Sequence, residues 1–407
     1  MHNLALLIAQ IATILIAARL LGFLFQKLNQ PRVIGEMVAG ILLGPSLLGW
    51  LSPRVSTLLF PPDSLSTLNS LSQVGLLLFM FLVGLELDLR RLRELGRAAI
   101  VTSQVSIIVP FALGFFFALH LYPRFANESV SFVGFALFMG SAMSITAFPV
   151  LARILAERNL LRTRVGSVAI TCAAVDDVTA WCILAGIIVV VRASSLALPL
   201  WLTVIGLAAF IAFMLFPVRN ALRAIEVMHR DRGSLTHDAM AIVLVVVLAS
   251  GWITEYLGVH ALFGAFLAGV VMPRRPELIR EIWAKFETVV IVLLLPLYFA
   301  FTGLRSSFFL ISGVEMWAYS LVIIALAVIG KLGGSLISCR LNGMPWREAA
   351  AVGVLMNTRG LVELVILNIG LDLGVLSPPL FSMMVLMALV TTLMTSPLLG
   401  LLRGAER

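Results

Sequence analysis

The residues able to do chemistry in this chain are few, and they stand in apolar surroundings. The stretch Thr171 to Trp181, TCAAVDDVTAW, places Asp176 and Asp177 side by side with no other charged residue within about ten positions on either side. An acid at the centre of a membrane helix costs about 2.5 to 3.5 kcal/mol on insertion scales, so two adjacent ones require a use. Neighbours on a helix point about 100° apart and cannot do the same job. One can face a wet cavity while the other faces a neighbouring helix. Lys331, near the middle of WAYSLVIIALAVIGKLGGSLISC, is the natural counter-charge for the second, because pairing offsets part of both desolvation costs. A purely structural cluster of Asp176, Asp177 and Lys331 leaves one acid without a base. A buried carboxylate can hold a proton near neutral pH, and its oxygens can also bind a hard cation. If the two compete for one group, and the site opens to one side at a time, exchange follows.

Further candidates surround this set. Ser144-Ile145-Thr146-Ala147-Phe148-Pro149 interrupts one apolar segment and Asn357-Thr358-Arg359-Gly360 another. Proline at 149 lacks a donor and clashes one turn back, so an unbroken helix is not expected there. Arg359 and Glu363 are four apart on one helix face, the spacing of an ion pair that holds the second broken helix. Glu36 and Glu86 lie near span ends, where solvation is possible. His229 and His237 fall in the largest basic loop and are expected to be solvated. Cys172, Cys182 and Cys339 lie in apolar spans and read as small packing residues rather than as a disulfide framework or metal site.

The elements that must position these residues follow from composition. Of 407 residues, 60% are hydrophobic and only 12% charged, with mean hydropathy +1.06. A soluble domain would carry about a quarter charged residues. The apolar residues come in runs of about 18 to 25, enough to cross a bilayer as helices. The fold class is therefore all-α polytopic membrane protein, and the lipid bilayer is its first partner. About thirteen transmembrane helices are expected, near 4–25, 33–51, 67–88, 98–120, 131–152, 165–191, 197–218, 238–256, 259–273, 286–304, 316–339, 349–371 and 379–402. The first reads as a retained helix rather than a cleaved signal peptide, because no basic segment precedes it.

The pI near 10.1 does not point to nucleic acid, since the basic residues sit in short loops. Odd-numbered loops hold about twenty of them, against Arg54, Arg124, Arg192 and Arg305 in the even ones. That asymmetry puts the N-terminus out and the C-terminus in. Thirteen spans divide as six, one and six: a first repeat over 1–195, a linker helix over 196–220 and a second, inverted repeat over 221–407. Inverted repeats with a midplane site are a recurring transporter architecture. Non-helical backbone at membrane depth is tolerated only where it is packed in protein or lines a wet cavity. Two interruptions at matching positions of the repeats thus point to a site between them.

The stretches MSITAFPVLARILAERNLLRTRVGSVAITCAAVDDVTAW, LPLYFAFTGL and LMNTRGLVELVILNIG together resemble the monovalent cation/proton antiporter superfamily, specifically its second cation/proton antiporter family. The wording is similar to plant-type cation/H⁺ exchangers and bacterial Na⁺/H⁺ or K⁺/H⁺ antiporters, and the resemblance covers nearly the whole chain. It implies a transport core (about 98–192 and 316–403) with crossed discontinuous helices. This core slides like an elevator against a dimerisation scaffold (about 1–90 and 238–304), so a homodimer is implied too. Asp177 matches the family's essential carrier of cation and proton. Asp176 matches a position that is commonly Asp or Asn, and where it is Asp a lysine matching Lys331 often pairs with it. Thr146 and the crossing at Phe148-Pro149 match the first broken helix. The acid pair with its lysine implies more than one proton per cation, whereas the surrounding wording implies potassium-linked exchange, so stoichiometry and ion stay open at this point. The resemblance further implies Na⁺, K⁺ or Li⁺ and H⁺ as ligands, no cofactor, and the bacterial inner membrane as location. The cytosolic nucleotide-binding domain of longer members is not expected after the last span.

Two other classes compete with exchange. An intramembrane aspartyl protease needs its two acids on separate helices facing one scissile bond, whereas these are adjacent and point apart. A cation channel or leak would need no alternating access, and the paired broken helices argue against it.

Overall fold

The computed structural model describes residues 3–86, 97–128, 130–160, 163–191 and 200–404, as helices and their short connections. The expected boundary between first repeat and linker, at 195 and 196, lies outside the described residues, as do Arg90, Arg91, Arg93, Arg162, Arg192 and Arg407. The chain opens with α1 (Asn3–Lys27), α2 (Arg32–Leu43), the short α3 (Leu48–Leu51) and α4 (Pro53–Leu59), and α5 (Pro62–Glu86). Then come α6 (Arg97–Phe125), α7 (Phe132–Ser144), α8 (Phe148–Glu157) and α9 (Arg164–Val191). A π turn at Met214–Val218 joins α10 (Leu200–Phe213) to α11 (Arg219–Arg232), and α12 (His237–Tyr256) and α13 (Ala261–Val271) follow. Another π turn, Thr288–Leu294, joins α14 (Pro276–Glu287) to α15 (Leu295–Arg305). A third, Ile329–Gly333, joins α16 (Gly313–Val328) to α17 (Gly334–Leu341), before α18 (Trp346–Met356), α19 (Leu361–Asp372) and α20 (Pro378–Gly404).

Among the described residues eleven helices are long and apolar enough to cross a membrane, or twelve if the bent pair α18 and α19 is one span. The protein is thus an integral membrane protein. The expected span at 259–273 is present only as the shorter α13, which is below that length.

Several local expectations are corrected. The linker does not end at 218 in a loop. Its π turn absorbs Pro217, and the helix runs on to Arg232. His229 therefore sits on a helix with its side chain 11% exposed, Nε2 lying 3.0 Å from Glu281 Oε2. The span expected from 286 is preceded by ten further helical residues. Pro296 has no N–H for the Val292 carbonyl, which instead accepts from Arg19 at 3.4 Å. Glu36, whose place near a span end left solvation open, is buried, with Arg19 at 3.9 Å. Cys182 is exposed, unlike the buried Cys172 and Cys339.

Two groups of helices pack internally. In one, α1 lies on α2, α2 and α5 on α15, and α5 and α12 on α13. Gly40 of α2 and Gly303 of α15 meet backbone to backbone, and a Cβ on either would collide with the other helix's main chain. Where lipid leaves no hydrophobic drive between helices, such close approach supplies the packing energy. In the other group α6, α7, α9, α17, α18 and α20 pack together. Ala147, Leu151, Cys172, Cys339 and Leu355 form part of a separate apolar cluster within this group.

Candidate functional site

Two of the helices in the second group are replaced by broken pairs. α7 ends at Ser144 and α8 starts at Phe148, leaving Ile145 to Ala147 non-helical. Pro149 occupies the first turn of α8, where its missing N–H costs nothing. α18 ends at Met356 and α19 starts at Leu361, with a bend of 42°. The two connections touch, as the Ala147 amide donates to the Thr358 carbonyl at 3.0 Å. A Cβ at Gly360 would come within 2.6 Å of Val150 Cγ2, so glycine is what lets the second connection lie against α8.

Breaking a helix leaves carbonyls unpaired at its C-terminal end, where the dipole is negative. Here two cations meet them. Lys331 Nζ donates to the Ser144 carbonyl at 2.5 Å. Arg359 donates to the Ala142 and Met143 carbonyls at 2.8 and 2.5 Å. Each cation also pairs with an acid: Lys331 with Asp176 at 2.7 Å and Arg359 with Glu363 at 2.9 Å, all four side chains fully buried. Lys331 stands on the π turn Ile329–Gly333, a kind of irregularity frequent at functional sites.

Asp176 is saturated. Oδ1 accepts from Ser103 Oγ at 2.6 Å, and Oδ2 accepts from Ser106 Oγ at 2.9 Å as well as from Lys331. The Thr146 hydroxyl lies 2.9 Å from Asp176 Oδ2 and 3.1 Å from the Met356 carbonyl, tying the acid to both broken helices. Asp177, equally buried, has no hydrogen-bond partner for either oxygen among the described residues. It faces the amide of Phe148, the first residue of α8. In the second connection, Thr358 Oγ1 lies 3.3 Å from Thr395 Oγ1, and the Arg359 amide donates to Thr392 Oγ1 at 3.0 Å. The buried Asn357 Oδ1 has no partner among the described residues. A cavity of about 250 Å³ lies between the two helix groups, its walls including Glu36, Glu86, Pro149, Arg153 and Leu361.

The structure thus brings together Thr146, Asp176, Asp177 and Lys331 at the crossing, with Phe148, Pro149, Asn357 and Thr358 forming its connections. Arg359 and Glu363 sit beside it. Ser103 and Ser106 were missed by sequence reasoning. They lie three apart on one face of α6, in a stretch that also holds Thr102 and Gln104, and nothing in the sequence says that this face meets Asp176.

The sodium/hydrogen exchanger transmembrane family model matches residues 11–401. The Na⁺/H⁺ antiporter NhaS4 of Synechocystis sp. is 43% identical over 400 residues, which cover 98% of this chain and 97% of that one. Cation/H⁺ antiporter 17 of Arabidopsis thaliana is 43% identical over 398 residues, covering 98% of this chain and 48% of the relative. K⁺/H⁺ antiporter 1 of Saccharomyces cerevisiae is 34% identical over 404 residues, covering 97% and 46%. The chain spans about half the length of these plant and yeast relatives. The solved structure of the sodium proton antiporter MjNhaP1 from Methanocaldococcus jannaschii at pH 8 matches with a TM-score of 0.67. It covers 98% of this chain and 96% of that one at 14% identity, a likeness of fold.

Proposed function

The chain belongs to the sodium/hydrogen exchanger family, and we propose that it exchanges a monovalent cation, Na⁺ or K⁺, for H⁺ by competition for Asp177. Its relatives are transporters, and no bond-making chemistry is needed. One observation carries the reading: of two adjacent buried acids, Asp176 is fully hydrogen-bonded by side chains, and Asp177 has no side-chain partner among the described residues. A carboxylate so placed can be neutralised by a proton or by a cation, one at a time. Asp176, held by Lys331 and Thr146, positions the crossing, and Arg359 with Glu363 braces it.

In this reading the helices around the broken pairs are the mobile core, and those around Gly40 and Gly303 are the scaffold. The core slides to expose Asp177 to either side, and the scaffold supports a homodimer. Thirteen crossings in two inverted sets of six, with α13 among them, put the N-terminus out and the C-terminus in. The cavity lined by Glu36 and Glu86 then opens to the cytoplasm of a bacterial inner membrane. Relatives' names divide between sodium and potassium, so the ion is left to measurement.

The test is proton movement in liposomes on addition of Na⁺, K⁺ or Li⁺, with the membrane potential clamped. Cation-dependent proton flux in the wild type and none in Asp177→Asn supports the proposal. Cation current without coupled protons would indicate a channel, and exchange retained in Asp177→Asn would place the carrier elsewhere.

A further inference from the structure

The stretch LPLYFAFTGL, quoted above for its resemblance, has no part in the ion site, yet its polar residues and the Arg305 that follows are all spent in one direction. Tyr298, Thr302 and Arg305 lie four and three residues apart, on one face of α15. Opposite them, Asn368 and Asp372 lie four apart on α19. Asn368 Nδ2 donates to Thr302 Oγ1 at 2.9 Å and lies 3.1 Å from the Tyr298 hydroxyl, while its Oδ1 accepts from Arg305 at 3.2 Å. Arg305 also pairs with Asp372 Oδ1 at 2.5 Å. Tyr298 and Thr302 are buried and Asn368 is 3% exposed, so these bonds form away from water.

The placement of this cluster is what matters. α15 belongs to the group built on α2 and α5, and α19 runs on from the broken-helix crossing. The seam between them gapes at one end, where Leu295, Phe299 and Leu361 line the 250 Å³ cavity with Glu36 and Glu86. Asp372 lies eleven residues beyond Leu361, about 16 Å along the helix, and there the seam is tied. Hydrogen bonds weaken steeply outside about 3.2 Å. A slide of the core by even a few ångströms would therefore break the ties together. The buried Asn368 amide would keep only the Leu364 carbonyl of its own helix, at 2.9 Å, as partner, a costly state.

We infer that Tyr298, Thr302, Arg305, Asn368 and Asp372 form a latch that holds the seam shut at the end away from the cavity and sets the ratio of the two transport states. They are positioning residues, since none touches the ion site. The latch rests on the sliding reading of the preceding subsection, and one measurement separates the two. Spin labels are placed at Ser66→Cys on α5 and Glu128→Cys beside α7, both exposed and both at the latched end. The background carries alanine for the three cysteines, and distances are read by electron–electron resonance in lipid nanodiscs. Two distances are expected in the wild type. Asp372→Asn and Arg305→Gln, and more strongly Asn368→Leu, should move the ratio about tenfold toward the minor one. Asp372 is 47% exposed on its side chain, so its variant is a safe control for folding. Two distances whose ratio none of the variants changes would overturn the latch alone, leaving a structural contact that shows only in melting temperature. A single distance in wild type and variants alike would overturn the sliding reading and the latch with it.

Discussion

Asp176 and Asp177 share a helical turn but not one hydrogen-bond partner. The first accepts from Ser103, Ser106, Thr146 and Lys331, and the second accepts from none of the described residues. Their side chains leave α9 in different directions: one meets four side-chain donors, the other faces only the amide at the start of α8.

The first prediction concerns Asp177. Asp177→Asn keeps the volume and removes a buried group that has no partner for its charge. Cation-dependent proton flux should fall at least a hundredfold, read in liposomes. Thermal melting should hold or rise, because an unpaired buried charge costs stability. A fall of several degrees in melting temperature would mean that Asp177 has a structural partner.

Lys331 should behave in the opposite way. Lys331→Ala uncaps the Ser144 carbonyl and leaves the Asp176 charge without its counter-charge, a loss of about 3 to 5 kcal/mol for a broken buried pair. Combining it with Asp176→Asn should restore much of that loss, because the orphaned charge goes too. A double-mutant cycle on melting temperature checks this, and additive losses would show that the two are not coupled.

Arg359 is expected to be irreplaceable by lysine. Its planar fork reaches two carbonyls and Glu363 from two separate nitrogens, a span that one compact ammonium on a shorter stem does not reproduce. Arg359→Lys should lose most of the stability that Arg359→Ala loses. Glu363→Gln should cost less, because Arg359 keeps the Ala142 and Met143 carbonyls. Equal losses for Glu363→Gln and Arg359→Ala in denaturation would contradict the capping role.

The two serines on α6 give a graded test. Ser103→Ala and Ser106→Ala each remove one donor from a buried carboxylate, costing about 1 to 3 kcal/mol apiece. Each effect taken singly should be smaller than the Lys331 loss in melting experiments, while Asp177-dependent exchange survives. Abolished exchange in Ser103→Ala would move that serine into the ion path.

Much of this arrangement was legible because charges are scarce in the chain. With so few ionisable groups in the spans, Lys331 stands out as the partner for one acid, and Pro149 and Gly360 mark the broken helices through backbone rules alone. Serine carries no such signal. Ser103 and Ser106 look like the many serines that apolar helices tolerate by bonding to their own backbone, and only the fold shows that they turn toward Asp176. The extents of the linker helix and of α14 to α15 were misread because a π turn lets a helix continue through sites near Pro217 and Pro296. Burial of Glu36 was hidden for a different reason. Distance from a span end says nothing about which neighbour covers the residue, and here the covering helices come from remote parts of the sequence.

The pairing of each buried cation with one acid has a consequence for leakage. Lys331 with Asp176, and Arg359 with Glu363, pair cation with acid, so among the described residues Asp177 is the acid of the crossing without such a pair. On the proposed exchange, a proton or a cation bound to Asp177 would leave the buried crossing neutral. An empty site would carry a bare carboxylate past apolar walls, at a cost of several kcal/mol. The return stroke of an empty carrier would then be suppressed by electrostatics, with no separate gate to enforce coupling.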